Sequence, residues 1–147
     1  MGAEPSAPRS DAFSRRNGRI AYTEFDRGGA RVVAIPPSGG RARALVIGAG
    51  EEAVPAWSRD GGRLAFVRTT PEGRQGVYLM KLGTAPRALT LRRVDPARPG
   101  SDGHPHWSPN GRQVAFHRSR GESFDIYVVA ATGRARPRLI GEGFEPA

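Results

Sequence analysis

One short segment holds residue types that can bind a metal ion: Asp102, His104 and His106. Histidines two positions apart on an extended strand point to the same face, here toward a predicted channel. A zinc site takes about four ligands, so this pair supplies at most half of one. The segment is a candidate for only part of a metal site. The alternative is that these three residues are simply polar residues that line the channel. The sequence predicts no cofactor. His117 is expected at a surface or strand edge.

Two serines are candidates for nucleophilic chemistry, Ser58 and Ser108. A hydrolase serine needs a Gly-x-Ser-x-Gly elbow or a base at fixed spacing, and neither accompanies these two. A hydroxyl directly before a tight turn usually bonds the local backbone, which is the role we expect. Trp57 and Trp107 could stack on a ligand, but their matching positions predict packing between repeated units. The sequence therefore predicts no catalytic residue.

A glycine-rich segment, 45–53, imitates the dinucleotide-binding pattern G-x-G-x-x-A. That chemistry needs a helix after the second glycine, since the helix N-terminus holds the pyrophosphate. Pro55 follows two residues after the pattern, and the Trp57 turn comes at once. No helix fits there, so the segment is interpreted as a loop.

All these residues belong to a threefold internal repeat. The copies read FSRRNGRIAY from Phe13, WSRDGGRLAF from Trp57 and WSPNGRQVAF from Trp107, so they start 44 and then 50 residues apart. The closing leucines Leu45, Leu89 and Leu139 keep the same spacings. A period near 45 with strand-like content is typical of propeller blades.

Each repeat is predicted to form four short antiparallel strands. Leu64 and Phe66 alternate with Ala65, which places them on opposite faces of an extended segment. Asp60-Gly61 and Asn110-Gly111 are hairpin turn sequences. No segment has a sustained helical period, so the fold class is all-β.

The repeat resembles the TolB-type, WD-like propeller repeat, P-x-W-S-P-[DN]-G-x-x-[IVL]-A-F followed by I-Y-V and R-L-T. The third copy matches best, through Pro105, 107–111, 114–116, 126–128, Gly133 and 138–139. The second has Arg59 in place of proline, and the first has Phe13 in place of tryptophan. This repeat recurs in bacterial Tol-system proteins and in propellers attached to peptidases. The resemblance implies six blades in a closed ring.

The predicted architecture is a partial β-propeller of three four-stranded blades, half of such a ring. The expected boundaries are a disordered leader at 1–10, blades at about 11–50, 51–100 and 101–141, and the start of a further strand at 142–147. Closed propellers need about four to eight blades. Either the chain is part of a longer protein or a second copy completes the ring as a homodimer.

The net charge of +9 comes almost wholly from arginine, with Lys81 the only lysine. The arginines are scattered, and no interleaved row of aromatic residues accompanies them, so a nucleic-acid partner is not favoured. The longer link between the second and third repeats carries Arg92, Arg93 and Arg98. Such links lie on an end face, and these three arginines are the predicted contacts for a protein partner.

The chain has no cysteine, no long apolar run and no signal-peptide core. As written it would stay in the cytoplasm, whereas a start further upstream would allow export. The predicted function is a non-enzymatic propeller module that binds a protein or ligand. The alternative is the propeller segment of a larger hydrolase or peptidase whose catalytic domain is not in this chain.

Overall fold

The computed structural model describes residues 18–46, 50–88, 90, 92–93, 101–133 and 135–143. These residues form twelve strands: β1 (Ile20–Asp26), β2 (Gly29–Ile35), β3 (Arg43–Ala44), β4 (Glu51–Trp57), β5 (Arg63–Thr69), β6 (Arg74–Lys81), β7 (Arg87–Ala88), β8 (Arg92–Arg93), β9 (Asp102–Trp107), β10 (Gln113–Arg120), β11 (Ser123–Ala130) and β12 (Arg138–Glu142). No described residue is helical. The predicted all-β class is confirmed.

The strands form three antiparallel sheets, one for each sequence repeat. The first blade is β1-β2-β3, the second is β4-β5-β6-β7, and the third is β9-β10-β11-β12. The third blade is the predicted four-stranded meander. In the first blade the structure describes three strands, and the strand predicted around Phe13 lies outside the described residues. The predicted strand at 142–147 falls mostly outside them too.

The outer strand of the second blade is split into two pieces. Strand β7 pairs with Tyr78 and Leu79 of β6, whereas β8 pairs with Arg74 and Gln75. Between them Thr90 bonds Val77 through both its amide and its hydroxyl. Both pieces pair with the same edge of β6. Together they take the place of the fourth strand that was predicted for the second blade.

The core consists of two layers, one on each side of the second blade. Leu64, Phe66, Tyr78 and Met80 face the first blade, while Ala65, Val77 and Leu79 face the third. The layer against the third blade is completed by Val114, Phe116 and Val129. The alternation predicted from the repeat therefore places the large residues of the second and third blades against the blade before each.

A bulge interrupts the first strand of both later blades at the same repeat position. Val54 and His104, which are 50 residues apart, adopt positive φ angles of 54° and 48°, and the strand register shifts beside each of them. Such a conformation is unusual for Val54, whose side chain is branched at Cβ. In the second blade Thr23 of the first blade supports it, because its hydroxyl accepts a hydrogen bond from the Val54 amide at 3.0 Å.

Candidate functional site

The two serines have the local structural role that their position predicted. The Ser58 hydroxyl lies 2.6 Å from Asp60 Oδ1 and accepts a bond from the Arg63 amide at 3.0 Å. Ser108 repeats this arrangement, with Asn110 Oδ1 at 2.7 Å and the Gln113 amide at 3.0 Å. Both hydroxyls therefore hold the turn between the first two strands of a blade.

The two tryptophans pack between blades, as the repeat predicted. Trp57 is buried in the layer between the first and second blades. Trp107 donates from Nε1 to the Ala56 carbonyl of the second blade at 3.0 Å, and the Arg63 guanidinium lies 4.5 Å from its ring centroid. Arg63 therefore covers one face of the Trp107 ring, and that face is not open to a ligand.

The third blade contains a buried ion pair. The Asp102 carboxylate, whose side chain is fully buried, accepts hydrogen bonds from Arg118 Nε at 2.7 Å and Arg118 Nη2 at 2.9 Å. This bidentate bond is the strong geometry for guanidinium and carboxylate. It raises the pKa of Arg118, chiefly through the hydrogen bond to Asp102, so the guanidinium stays charged inside the blade.

The second blade has the same ion pair 50 residues earlier. Glu52 accepts from Arg68 Nη2 at 2.9 Å and from Arg68 Nε at 3.2 Å. The two arginines also lie over aromatic pairs. Arg68 is 5.2 Å from the Tyr78 ring centroid, and Arg118 is 4.4 Å from that of Tyr127. The acid, the arginine and the aromatic rings form one repeated stack that ties three strands of a blade together.

This stack was not predicted, although the sequence contains a signal for it. An acid at 52 and 102 and an arginine at 68 and 118 share the spacing of the aromatic motif. The first blade breaks the pattern, since Glu24 stands at the arginine position. There Glu24 pairs instead with Arg31 on the exposed surface at 2.7 Å.

The metal-ligand candidates are arranged differently from the prediction. Both oxygens of Asp102 are bonded to Arg118. The bulge at His104 interrupts the alternation that would have aligned it with His106, and the His104 ring lies 4.8 Å from that of His117. Among the described residues no group of three or more His, Asp or Glu side chains is placed to hold a metal ion.

The prediction that His117 lies at the surface or at an edge is wrong. Its exposed fraction is 5%, and it packs between His104 and the Phe124 ring, whose centroid is 5.0 Å away. Gly103 opposite makes the room, because a Cβ there would lie 2.7 Å from His117 Nε2. The burial depends on the bulge and on a glycine of the neighbouring strand, which the sequence around His117 does not indicate.

Burial raises the pKa of Glu52 above its ordinary value of 4.5, since lost hydration outweighs the bond and the charge of Arg68. The folded protein therefore binds this proton more tightly than the unfolded chain. The resulting stability is complete below pH 4.5 and is lost as the pH rises through the folded pKa.

We expect the Glu52→Gln variant to reveal this linkage, because the amide does not titrate. The free energy of unfolding of the wild type, minus that of the variant, should increase as the pH falls from neutral toward 4.5. Urea denaturation of both proteins at several pH values measures it, and other titrating groups cancel in the difference. A difference that decreases with falling pH contradicts the assignment.

Two of the three predicted partner contacts lie at the outer edge of the second blade. Arg92 and Arg93 form β8, beside Gln75 and Arg74 respectively, whereas Arg98 lies outside the described residues. The glycine-rich segment is described only at its ends. The strand β4 begins at Glu51, so residues 51–53 form a strand where a loop was predicted, and residues 47–49 lie outside the described residues. A strand after the second glycine confirms that the helix required by a dinucleotide site does not follow it.

These features define an all-β protein of propeller blades packed face to face. The family model of the TolB beta propeller domain matches residues 5–144, and the chain belongs to that family. A curated relative is the Tol-Pal system protein TolB of Alcanivorax borkumensis, which is 38% identical over 66 residues. The match covers 45% of this chain and 14% of that protein.

Solved structures show the same fold. TolB from Acinetobacter baumannii superposes with a TM-score of 0.72 at 22% identity, over 90% of this chain and 32% of the other. A puromycin-hydrolyzing peptidase of Mycobacterium tuberculosis gives a TM-score of 0.63 at 24% identity, over 92% of this chain and 23% of the other.

The chain thus spans less than a third of each of these three relatives. In the part of the chain that the structure describes, no helix could cross a membrane.

Proposed function

We propose that the chain is a non-catalytic propeller module that binds other proteins, and that a second copy closes its three blades into a ring. The chemistry-bearing side chains of the described repeats support the first part. Ser58, Ser108, Trp107 and Asp102 all serve contacts within or between blades. Binding is then left to loops and exposed faces, which is where propellers carry their function.

The observation that carries ring closure is the outer face of the third blade. Ala65, Val77 and Leu79 of the second blade are at most 2% exposed beneath the third blade. Their repeat equivalents Ala115, Ile126 and Val128 are only half-buried. Ile140 is 51% exposed, whereas Val46, at the same repeat position, is 5% exposed. This face has the residues of an interface between blades but is uncovered.

The outer face of the first blade supplies the complementary side chains. Ile20, Tyr22 and Ile35 are half-buried, and they correspond to Leu64, Phe66 and Met80, which are buried against a neighbouring blade. In two copies joined head to tail, the first blade of each copy would pack on the third blade of the other. Both outer faces of each copy would then be buried, and six blades would form one closed ring. Closure would repeat the geometry that already joins the blades within the chain.

An Ile126→Asp variant tests this closure, because a carboxylate in an apolar interface is costly to bury. Light scattering of the 147-residue chain should give twice 15.8 kDa, and the variant should give 15.8 kDa. Ser38→Asp is the matched control, since it adds the same charge in an exposed turn of the first blade. A folded wild type at the monomer mass contradicts the proposal, and so does a variant that keeps the double mass.

The partner-binding role keeps the predicted residues Arg92, Arg93 and Arg98 as contacts for a protein. The position of β8 at a blade edge supports this, because an edge strand is reachable by another chain.

The second candidate function is the propeller segment of a hydrolase. It is favoured by the peptidase of Mycobacterium tuberculosis and by an acylaminoacyl peptidase of Pyrococcus horikoshii, whose TM-score is 0.56 at 12% identity. The two candidates differ in the surrounding gene. A continuous longer reading frame that encodes a nucleophile elbow would support the hydrolase, and its absence would support the binding module.

A further inference from the structure

An open groove lies between the second and third blades, at the end where the Trp-Ser turns are. The part between the two turns has a volume of about 400 Å³ and is lined by residues from Ser58 to Arg63 and from Pro109 to Gly111. An adjoining part of about 920 Å³ continues past Arg87 and Arg112 to Thr132. We call the whole the turn-end groove. It is large enough for several side chains of a partner.

The turn-end groove is strongly basic. Its lining includes the guanidinium groups of Arg59, Arg63, Arg87 and Arg112, and Asp60 supplies the one carboxylate among the lining residues that the structure describes. Asp60 is already bonded to Ser58 and to the Gly62 amide. The excess of positive charge creates a field that attracts carboxylates.

Two of the four arginines are held in place before any ligand arrives. Arg63 donates to the Gly111 carbonyl at 2.7 Å while stacked on Trp107. Arg87 donates to the carbonyls of Thr132 and Ala131 across the blade interface. These acceptors are uncharged, so both guanidinium groups keep their full charge, and each has five N–H donors. Side chains that are fixed in advance lose little entropy when they bind.

The repeat shows that the third-blade turn carries more positive charge than the second-blade turn. The turn Asp60-Gly61-Gly62 of the second blade occupies the place that Asn110-Gly111-Arg112 occupies in the third. The third-blade turn thus has an amide in place of a carboxylate and an arginine in place of a glycine. Both changes make the turn-end groove more positive than a second Asp-Gly-Gly turn would. The second blade shows that an Asp-Gly-Gly turn is compatible with the same fold.

We propose that the turn-end groove binds an acidic segment of a partner protein. The inference rests on the proposed binding role but does not depend on ring closure. Guanidinium groups bond carboxylates in bidentate pairs, which suits glutamate-rich or aspartate-rich sequence. Single-stranded nucleic acid needs aromatic faces on which bases stack. Here Arg63 covers Trp107, and the exposed Phe25 lies in the first blade, outside the lining of this groove.

The test is the fluorescence anisotropy of a labelled hexaglutamate peptide with the 147-residue chain. The variant Asn110→Asp/Arg112→Gly installs the turn of the second blade. It is expected to fold, because the two turns use the same hydrogen bonds. Asp60 Oδ1 accepts from the Ser58 hydroxyl and the Gly62 amide. Asn110 Oδ1 accepts in the same way from the Ser108 hydroxyl and the Arg112 amide. Loss of one cation and gain of one anion should weaken peptide binding at least about tenfold. A hexaglutamine peptide with the same label should not bind.

Arg27→Asp is the control for net charge, since it makes the same change of two charges in the exposed turn between β1 and β2, at the opposite end of the strands. Its peptide affinity should stay within about twofold of the wild type. The proposal is overturned if hexaglutamate does not bind, if both variants lose affinity equally, or if an oligothymidine binds more tightly than the peptide. A ring that forms without peptide binding would refute the groove alone, because the light-scattering result is independent of it.

Discussion

The Phe116→Ala variant is expected to lose about 3–5 kcal/mol of unfolding free energy, the usual cost of removing a buried ring. Phe116 is fully buried in the layer between the second and third blades, and its ring stacks on Tyr127 at 5.8 Å between centroids. Truncation leaves a cavity against Ala65 and Leu79, which belong to a different sheet. Urea denaturation at a fixed protein concentration measures the loss.

Phe25→Ala is the matched control for this prediction, because it makes the same substitution at a ring that is 75% exposed. Its free energy of unfolding should change by no more than about 0.5 kcal/mol. If the two variants lost similar stability, Phe116 would not be the inter-blade anchor that the packing indicates.

The Asp102→Ala variant should lose about 3 kcal/mol or more, since it leaves the Arg118 guanidinium without its carboxylate inside the blade. The Arg118 side chain is 18% exposed and Asp102 is fully buried, so water can hydrate the remaining charge only in part. Thermal or urea denaturation of the variant gives the magnitude.

A double variant separates the charge from the other contacts of these residues. Asp102→Ala/Arg118→Met removes both charges and keeps an apolar chain over Tyr127, so it should recover at least about half of the loss. Glu24→Ala is the control, because its pair with Arg31 is exposed and solvent screens it; little or no change is expected. A double variant no more stable than Asp102→Ala would show that the unpaired charge of Arg118 is not the cause of the loss.

The three-blade architecture could be predicted because the same pattern of turn and strand residues occurs three times in the sequence. Alternation of Leu64 and Phe66 with Ala65 places the large side chains on one face of a strand. Because the repeats are built alike, the equivalent strand of the next blade has the same apolar face. The turns with Asp60-Gly61 and Asn110-Gly111 form as their residue types require.

The features that the sequence did not reveal depend on contacts between strands. The bulges at Val54 and His104 break the alternation on which the alignment of His104 and His106 relied. His117 is buried because Gly103 on the neighbouring strand has no side chain. The stack of Asp102 and Arg118 joins residues 16 positions apart. Only a comparison of charges at equivalent repeat positions, in addition to the aromatic residues, would have indicated it.

The melting temperature of the unmodified chain as a function of protein concentration tests ring closure most directly. If two copies bury the outer faces of the first and third blades, association stabilises the folded state and the melting temperature must rise with concentration. The Ile126→Asp variant should lose that dependence. A melting temperature that does not change with concentration, for a compact species of 15.8 kDa, would contradict ring closure.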